Sequence, residues 1–183
     1  MSINKSFFEA YYKSINDSIL GIGCETLIKV AELIKTVSRN SKKIIIVGNG
    51  GSSAIASHVA VDLTKAAKVR AINFNEAALI TCFANDYGYE KWVSEALSAY
   101  ADKGDLAILI SSSGKSPNIL NGALKAKELG LEVVTLSGFN SENPLRKLAD
   151  IELWADSSDY NVVETTHQIW LLAIIDYVIA SQR

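Results

Sequence analysis

Short apolar runs alternate with longer amphipathic stretches along most of the chain. The clearest runs cover residues 44–47 and 106–110, and both are rich in isoleucine, valine or leucine. Runs of this kind are typical of strands that are buried on both faces of a parallel sheet. Residues 69–74, 131–136 and 151–155 have the same character. The pattern therefore predicts five strands.

The segments between these runs repeat apolar residues every three or four positions, as one face of a helix does. The predicted helices cover residues 53–67, 76–85, 91–100, 119–129 and 162–180. Alternating strands and helices form βαβ units, which place helices on both faces of a parallel sheet. We therefore predict an α/β protein of three layers, a flavodoxin-like sandwich in which helices flank a five-stranded parallel sheet.

Two more helices are predicted before the first strand, within the first forty residues. The first carries the aromatic residues Phe7, Phe8, Tyr11 and Tyr12 at helical spacing, and the second covers roughly residues 25–37. These aromatic residues are more than a lone surface helix is expected to expose. They indicate either core helices or a surface buried in an oligomer, and the pattern is compatible with both.

Length and composition narrow the class of protein. The 183 residues suit one domain, placed at 1–183, with a helical region at 1–40 before an α/β core at 41–183. A net charge of -2 predicts no strong attraction to nucleic acid or anionic membranes. The two cysteines are too few for a disulfide framework, and we recognise neither a signal segment nor an apolar stretch of membrane-spanning length. We expect a cytoplasmic protein without nucleic-acid or membrane partners.

Glycine- and serine-rich turns follow two of the predicted strands. The sequence "GNGGSS" begins at Gly48, and "SSSGKSPN" begins at Ser111. Ligands bind at the carboxyl ends of strands in open parallel sheets, and glycine, serine and helix N-termini suit an anion there. Such residues also make plain turns, but two turns in one small domain favour a phosphate site. Neither turn fits a dinucleotide or P-loop motif, since Ser53 takes the sixth place of the first, so no nucleotide cofactor is expected.

Four motifs in order identify a family resemblance. The stretches "VGNGGSSAIASHVAVDLT", "CFANDYGYE", "KGDLAILISSSGKSPNIL" and "GLEVVTLSG" together resemble the sugar isomerase (SIS) domain family, with phosphoheptose isomerases as the most similar branch. The resemblance covers essentially the whole chain. It implies a homotetramer that converts sedoheptulose 7-phosphate to D-glycero-D-manno-heptose 7-phosphate, with zinc as a possible cofactor.

The resemblance also implies roles for particular residues. Contacts to the phosphorylated sugar fall on Asn49, Gly50, Gly51, Ser52, Asn85, Asp86, Ser111, Ser112, Ser113 and Ser116. The catalytic candidates are Asp62, Glu164 and His167, and the metal candidates are His58, Asp62 and Glu164. His58 and Asp62 are four residues apart, so a helix places them on one face, as an acid–base pair or a shared metal site requires.

The chain departs from the family pattern at three of these positions. Asp62 stands where the family carries its catalytic glutamate, Glu164 stands where it has a glutamine, and Leu172 stands where it has a second histidine. Either another group supplies the acid, such as His167, Glu164 or a metal-bound water, or the substrate differs, or catalysis is lost. The leading hypothesis is an aldose–ketose isomerase. The alternatives are a non-catalytic SIS module that binds a sugar phosphate or a protein partner of the replication-initiator type, and a hexulose-phosphate isomerase, whose turn usually differs from "GNGGSS".

Overall fold

The computed structural model describes residues 3–182, so the ends of the predicted domain, residues 1, 2 and 183, lie outside it. The helices are α1 (Ile3–Leu20), α2 (Cys24–Arg39), α3 (Gly51–Lys65), α4 (Ala77–Tyr87), α5 (Trp92–Tyr100), α6 (Pro117–Glu128) and α7 (Tyr160–Ala180). The strands are β1 (Ile44–Gly48), β2 (Ala71–Asn73), β3 (Leu106–Ile110), β4 (Glu132–Ser137) and β5 (Ile151–Trp154). A short 3-10 helix, Arg146–Leu148, precedes β5.

The five strands form one parallel sheet in the order β2-β1-β3-β4-β5. This confirms the predicted α/β fold with its N-terminal helices. The chain winds towards one edge of the sheet after β1 and towards the other after β3, so the connections diverge between these two strands. Ligands of open α/β sheets bind at such a switch point, outside the carboxyl ends of the strands. Both glycine- and serine-rich turns begin there.

Alternate side chains of the central strands face opposite layers of helices. Ile44 and Ile46 belong to a cluster with α2, α3 and α7, whereas Ile45 and Val47 belong to a second cluster with α5 and α6. All five residues of β1 and of β3 are buried. The sheet is therefore covered on both faces, as its continuous apolar runs predict.

The last helix, α7, links the N-terminal helices to the sheet. Its Trp170 donates from Nε1 to the backbone oxygen of Ile19 at 2.9 Å, and its Thr166 bonds to Ser18 at 3.0 Å. By length and composition α7 also passes for a membrane span, which corrects the expectation that no stretch is long enough. Half of that stretch is buried within the protein, as in the core helix of a globular fold.

The aromatic residues of α1 lie on the surface of the chain rather than in its core. Phe7, Phe8 and Tyr12 are 61%, 53% and 64% exposed, and Phe7 stacks on Tyr11 with a centroid distance of 6.2 Å. In α4, no residue is buried although most of its residues are apolar. The interpretation that the N-terminal aromatic residues belong to the core of a single chain is therefore excluded. The other interpretation, a surface buried in an oligomer, is compatible with the structure.

Candidate active site

The turn after β1 is shaped by closely packed glycines. A Cβ at Gly48 would collide with the backbone of Ser52, so only glycine lets α3 begin directly over the end of the strand. Gly50 has a φ of +55°, in the region that other residues rarely adopt. Helix α3 starts at Gly51, and its first N–H groups point out of the helix end, where they attract anions.

The turn after β3 is held by its own hydroxyl groups and by a buried asparagine. Ser111 Oγ donates to Ser116 Oγ at 3.1 Å across the turn. Gly114 has a φ of +64°, and a Cβ there would collide with the side chain of Asn143. Pro117 opens α6, where a missing N–H costs nothing. These contacts hold the serine side chains in place at the edge of the sheet.

The two turns meet at one cavity of about 120 Å³. Its walls are formed by Asn49, Ser52, Ile110, Ser111, Ser112, Ser113, Ser116, Tyr160 and Glu164. Within residues 3–182, no hydrogen bond to another protein group uses the backbone N–H of Gly50, Gly51, Ser112 or Ser113. The cavity therefore combines hydroxyl groups, unengaged N–H groups and a helix N-terminus, which together suit an anionic ligand.

A carboxylate enters this cavity from α7. Glu164 is half-buried, and Ser112 Oγ donates to its Oε1 over 3.4 Å. The same carboxylate lies against Gly51, where an added Cβ would collide with it. Among the residues that line the cavity, Glu164 is the one with a formal charge. Lys115, which belongs to the turn after β3, is exposed and does not line the cavity.

Helix α3 carries a hydrogen-bonded histidine two turns beyond Gly51. His58 Nε2 lies 3.2 Å from Asp62 Oδ2, and His58 Nδ1 lies 3.2 Å from Gln168 Nε2. A carboxylate only accepts and an amide nitrogen only donates, so the neutral ring carries its proton on Nε2 and accepts at Nδ1. Because Gln168 is one turn from Glu164, both side chains project from one face of α7 towards α3.

A second cavity of about 330 Å³ adjoins the first and shares Asn49 and Ser116 with it. The amides of Asn49 and Asn118 pair reciprocally at 3.0 and 2.9 Å, and Tyr89 donates its hydroxyl to Asn49 Oδ1 at 3.2 Å. Glu90 also lines this cavity. The adjoining cavities provide more length than a phosphate group alone would occupy.

The structure does not support the predicted catalytic role of His167. This residue is fully buried and donates from Nε2 to the backbone oxygen of Ser137 at 3.0 Å, while its Nδ1 has no partner within the described chain. Burial lowers the pKa of His167 to about 4, partly offset by the bond to Ser137. A neutral histidine enclosed in the core cannot reach a ligand in the cavity.

Asn85 and Asp86 also lie apart from the cavity in the single chain. Both are exposed near the end of α4, where Asn85 Nδ2 donates to Asp86 Oδ1 at 2.9 Å. The charge of Asp86 raises the pKa of the nearby Cys82 thiol. Their contact with a sugar stays a prediction.

Comparisons with known proteins show the family and the fold of the chain. A SIS domain model matches residues 8–138, and the phosphoheptose isomerase of Campylobacter concisus is 32% identical over 181 residues, 95% of this chain and 94% of that protein. The chain belongs to the SIS domain family, in its phosphoheptose isomerase branch. The phosphoheptose isomerase of Fusobacterium nucleatum is 35% identical over 82% of this chain and 79% of its own. The solved structure of the phosphoheptose isomerase of Neisseria gonorrhoeae has the same fold, with a TM-score of 0.90, 24% identity and coverage of 98% and 100%.

The residues of this SIS domain do not fit the zinc site that the resemblance implies. Zinc sites in enzymes generally use three protein ligands, and among residues 3–182 no group of three His, Cys, Asp or Glu side chains is arranged to hold a metal. His58 and Asp62 contact each other, while Glu164 faces the serine turn instead. The predicted metal set of His58, Asp62 and Glu164 is therefore not assembled. Whether the protein binds zinc stays a prediction.

Leu172, at the position where the resemblance implies a second histidine, is part of the apolar packing of this SIS domain. It is partly buried and packs against the core cluster shared by α2, α3 and α7. An apolar side chain in that position neither carries a proton nor binds a metal. The polar contact to His58 comes from Gln168 instead.

Sequence reasoning missed three residues around the site. Tyr160 lines the cavity, Asn118 pairs with Asn49, and Gln168 contacts His58. Asn118 follows the serine turn directly, and Gln168 repeats the helical spacing of Glu164, so both had a signal in the sequence. Tyr160 had none, since a tyrosine at the start of a helix is an ordinary residue.

Proposed function

We propose that the protein is an aldose–ketose isomerase that converts sedoheptulose 7-phosphate to the corresponding mannoheptose 7-phosphate. The observation that carries the proposal is the single cavity in which both turns and the Glu164 carboxylate meet. Relatives named phosphoheptose isomerase that align with nearly the whole chain support the choice of substrate. A phosphate would be held by neutral donors: the hydroxyls of the serine turn and the N–H groups at the start of α3.

The reaction needs a base that moves a proton between neighbouring carbons. In the proposed mechanism, Glu164 takes a proton from C1 of the ketose, which leaves an enediolate, and returns it to C2. Glu164 is chosen because its carboxylate lines the cavity, whereas Asp62 is 37% exposed beside His58. A second proton must move from the oxygen on C1 to the oxygen on C2. We assign that transfer to the hydroxyl groups that line the cavity, because His58 and Asp62 line neither cavity.

Glu164→Gln tests the proposal, because the amide keeps the shape of the side chain but cannot take a proton. With sedoheptulose 7-phosphate as substrate and product formation followed by NMR, we expect turnover to fall by roughly 10²- to 10⁴-fold. Binding of the sugar phosphate, measured by calorimetry, should persist. Glu132→Gln, at an exposed glutamate that begins β4, is the matched control and should keep wild-type turnover.

A second function is favoured by the position of Leu172 in the apolar packing. Without the expected histidine, the chain would be a non-catalytic SIS module that binds a sugar phosphate or a protein partner. Wild-type protein that binds sedoheptulose 7-phosphate but shows no turnover, with or without added zinc, would establish this function and reject the first.

We further propose that the protein is a cytoplasmic homotetramer. The exposed aromatic residues of α1 and the apolar α4, none of whose residues is buried, support an assembled state. In a tetramer, exposed residues such as Asn85 and Asp86 could meet a site on a neighbouring subunit. Sedimentation velocity provides the test, and a monomer at micromolar concentration would contradict it.

A further inference from the structure

Two asparagines from different elements share a pair of hydrogen bonds where the two cavities adjoin. Asn49, in the turn after β1, donates from Nδ2 to Oδ1 of Asn118 at 3.0 Å. Asn118, in the first turn of α6, donates from Nδ2 to Oδ1 of Asn49 at 2.9 Å. The hydroxyl of Tyr89, between α4 and α5, donates to the same oxygen of Asn49 at 3.2 Å. Three segments that are distant in the sequence therefore meet at one side-chain amide.

These bonds use all but one of the hydrogen-bonding positions of the Asn49 amide. An amide oxygen has two lone pairs, and an amide nitrogen carries two hydrogens. Asn118 and Tyr89 occupy both lone pairs of Oδ1, and Asn118 accepts one hydrogen of Nδ2. The other hydrogen bonds to no protein group within residues 3–182. Because Asn49 lines both cavities, its side chain offers a ligand one N–H and no acceptor.

The surroundings keep the amide in this orientation. Asn118 is 1% exposed, so the loss of its partner would leave a buried polar group unsatisfied. Asn121 donates from Nδ2 to the backbone oxygen of Glu90 at 2.8 Å, which ties the loop that carries Tyr89 to α6. If Asn49 turned its oxygen towards the ligand, like groups would face each other in the pair with Asn118, and both of their hydrogen bonds would be lost.

We infer that Asn118 and Tyr89 are positioning residues that fix Asn49 as a donor-only contact for a ligand oxygen that carries no hydrogen. Phosphate has such oxygens, and so does the carbonyl group of a ketose, and an amide oxygen turned towards either would repel it. The inference rests on the proposed function for the sugar attached to the phosphate. Asn118 lines only the second cavity, so it acts on a ligand in the first cavity through Asn49.

Binding of inorganic phosphate, measured by calorimetry, tests the inference without turnover. Asn49→Ala should weaken binding roughly tenfold, as for the loss of one hydrogen bond to a charged group. Asn118→Leu keeps the size of the side chain but removes both bonds, so Asn49 presents its N–H only part of the time, and we expect a roughly three- to tenfold loss. Tyr89→Phe should cost roughly two- to threefold. Tyr100→Phe, at a hydroxyl without a partner in the described chain, is the control and should bind as wild type.

Double variants separate positioning from a structural role. If Asn118 acts through Asn49, adding Asn118→Leu to Asn49→Ala should weaken binding no further, whereas independent effects would multiply. The same holds for Tyr89→Phe, which provides the cycle at an exposed residue if Asn118→Leu fails to fold. Multiplied losses in the double variants would overturn the inference. So would wild-type affinity of the folded single variants for both inorganic phosphate and sedoheptulose 7-phosphate.

The two probes also identify the oxygen that Asn49 contacts. We expect the single variants to bind both probes more weakly, with KM for sedoheptulose 7-phosphate raised by the same factor and kcat within about twofold of wild type, which assigns the contact to the phosphate. Weaker binding of the sugar phosphate alone, with a lower kcat, would assign the contact to the carbonyl oxygen. Wild-type protein that binds both probes but shows no turnover would reject the proposed isomerase and leave the binding cycle, and with it this inference, intact.

Discussion

At the amino end of the sheet, the charges of Lys43 and Asp105 are buried against each other, whereas the carboxyl ends of the same strands open into the cavity. One oxygen of the fully buried Asp105 accepts from the backbone N–H of Lys43 at 3.0 Å. The other accepts from the N–H of Asp102 at 2.8 Å and lies 2.6 Å from Lys43 Nζ. The carboxylate of Asp102 lies 2.7 Å from the same amine.

These contacts satisfy the charges of the amino end within the chain. Burial by itself would lower the pKa of Lys43, but the hydrogen bonds that its amine donates to Asp102 and Asp105 raise the pKa above its usual value. The hydrogen bond from Lys43 in turn lowers the pKa of Asp102. An ion that is already paired and hydrogen-bonded has little left to offer a ligand. The amino end therefore contributes to stability.

The carboxyl end has the opposite arrangement. Its donors are mostly neutral, several N–H groups have no partner in the described chain, and the charge of Glu164 is supported only by a long bond from Ser112. The polar groups at the carboxyl end therefore add little to the stability of the fold, but a ligand can replace the solvent around them. Polar residues next to the same strands therefore stabilise the fold where they are paired, and are available to bind a ligand where they are not.

We expect the greatest loss of stability from a substitution at Asp105, in the paired amino end. Asp105→Ala leaves the buried amine of Lys43 with one carboxylate and removes the acceptor of two backbone N–H groups. Breaking a buried ion pair from one side costs about 3–5 kcal/mol, so we expect the free energy of unfolding in urea to fall by that amount. Turnover per folded molecule should remain unchanged, because the cavity lies at the other end.

Asp102→Ala is the matched control for that experiment. The side chain of Asp102 is 68% exposed, and exposed ion pairs contribute little to stability, so this variant should unfold at nearly the same urea concentration as wild type. Similar losses of stability in both variants would show that burial is not what distinguishes Asp105. A loss of turnover in folded Asp105→Ala would show that the two ends of the sheet are not independent.

We expect an intermediate effect from His167, which is fully buried and has one ring nitrogen bonded to the backbone oxygen of Ser137. Its pKa is lowered to about 4, so between pH 6.5 and 4 the unfolded chain binds a proton that the folded protein does not. Stability is therefore complete above pH 6.5 and falls as the pH decreases towards 4. From pH 7 to pH 5 the contribution amounts to about 2 kcal/mol.

Urea unfolding at pH 7 and pH 5 checks this prediction, with His167→Gln as the variant. Glutamine keeps an N–H donor for the Ser137 oxygen but does not titrate, so the variant should lose about 2 kcal/mol less than wild type between the two pH values. An identical pH dependence in both proteins would mean that His167 becomes protonated without unfolding.

Sequence patterns predict the fold better than the site. Strands and helices depend on residues close together in the chain, whereas the site depends on contacts between residues far apart in it. Strands and helices follow from local periodicity, and all five strands were found. The main errors are at element ends. Residues 69–74 were predicted as a strand, but only Ala71–Asn73 pair, since β2 is an edge strand with β1 as its sole neighbour. Helix α3 begins at Gly51 rather than Ser53. The glycines before Ser53 are typical of a turn, so the sequence pattern places the start of the helix too late.

The site was partly predictable for the same reason. The two turns could be placed together, since the carboxyl ends of parallel strands share one edge. His167 could not be placed, because spacing within α7 does not reveal which face meets α3 and which meets the sheet. Glu164 and Gln168 lie on the face towards α3, whereas His167 is buried. The fit of Glu164 against Gly51 depends on packing between residues distant in the chain.

At the carboxyl end of the sheet, we expect a smaller change from the removal of one serine hydroxyl. Ser113 Oγ accepts from the N–H of Lys115 at 3.3 Å, which leaves its own hydrogen available to a ligand in the cavity. Ser113→Ala should therefore weaken the hold on a phosphate by about 1.5 kcal/mol, a roughly tenfold rise in KM for the sugar phosphate, with kcat nearly unchanged. Ser98→Ala, at a hydroxyl that bonds within α5, is the control and should leave KM unchanged. Because the Ser113 hydroxyl donates to no protein group in the described chain, its removal should hardly alter the free energy of unfolding. If stability fell while KM stayed the same, Ser113 would resemble the paired residues of the amino end, and the distinction between the two ends would fail at this residue.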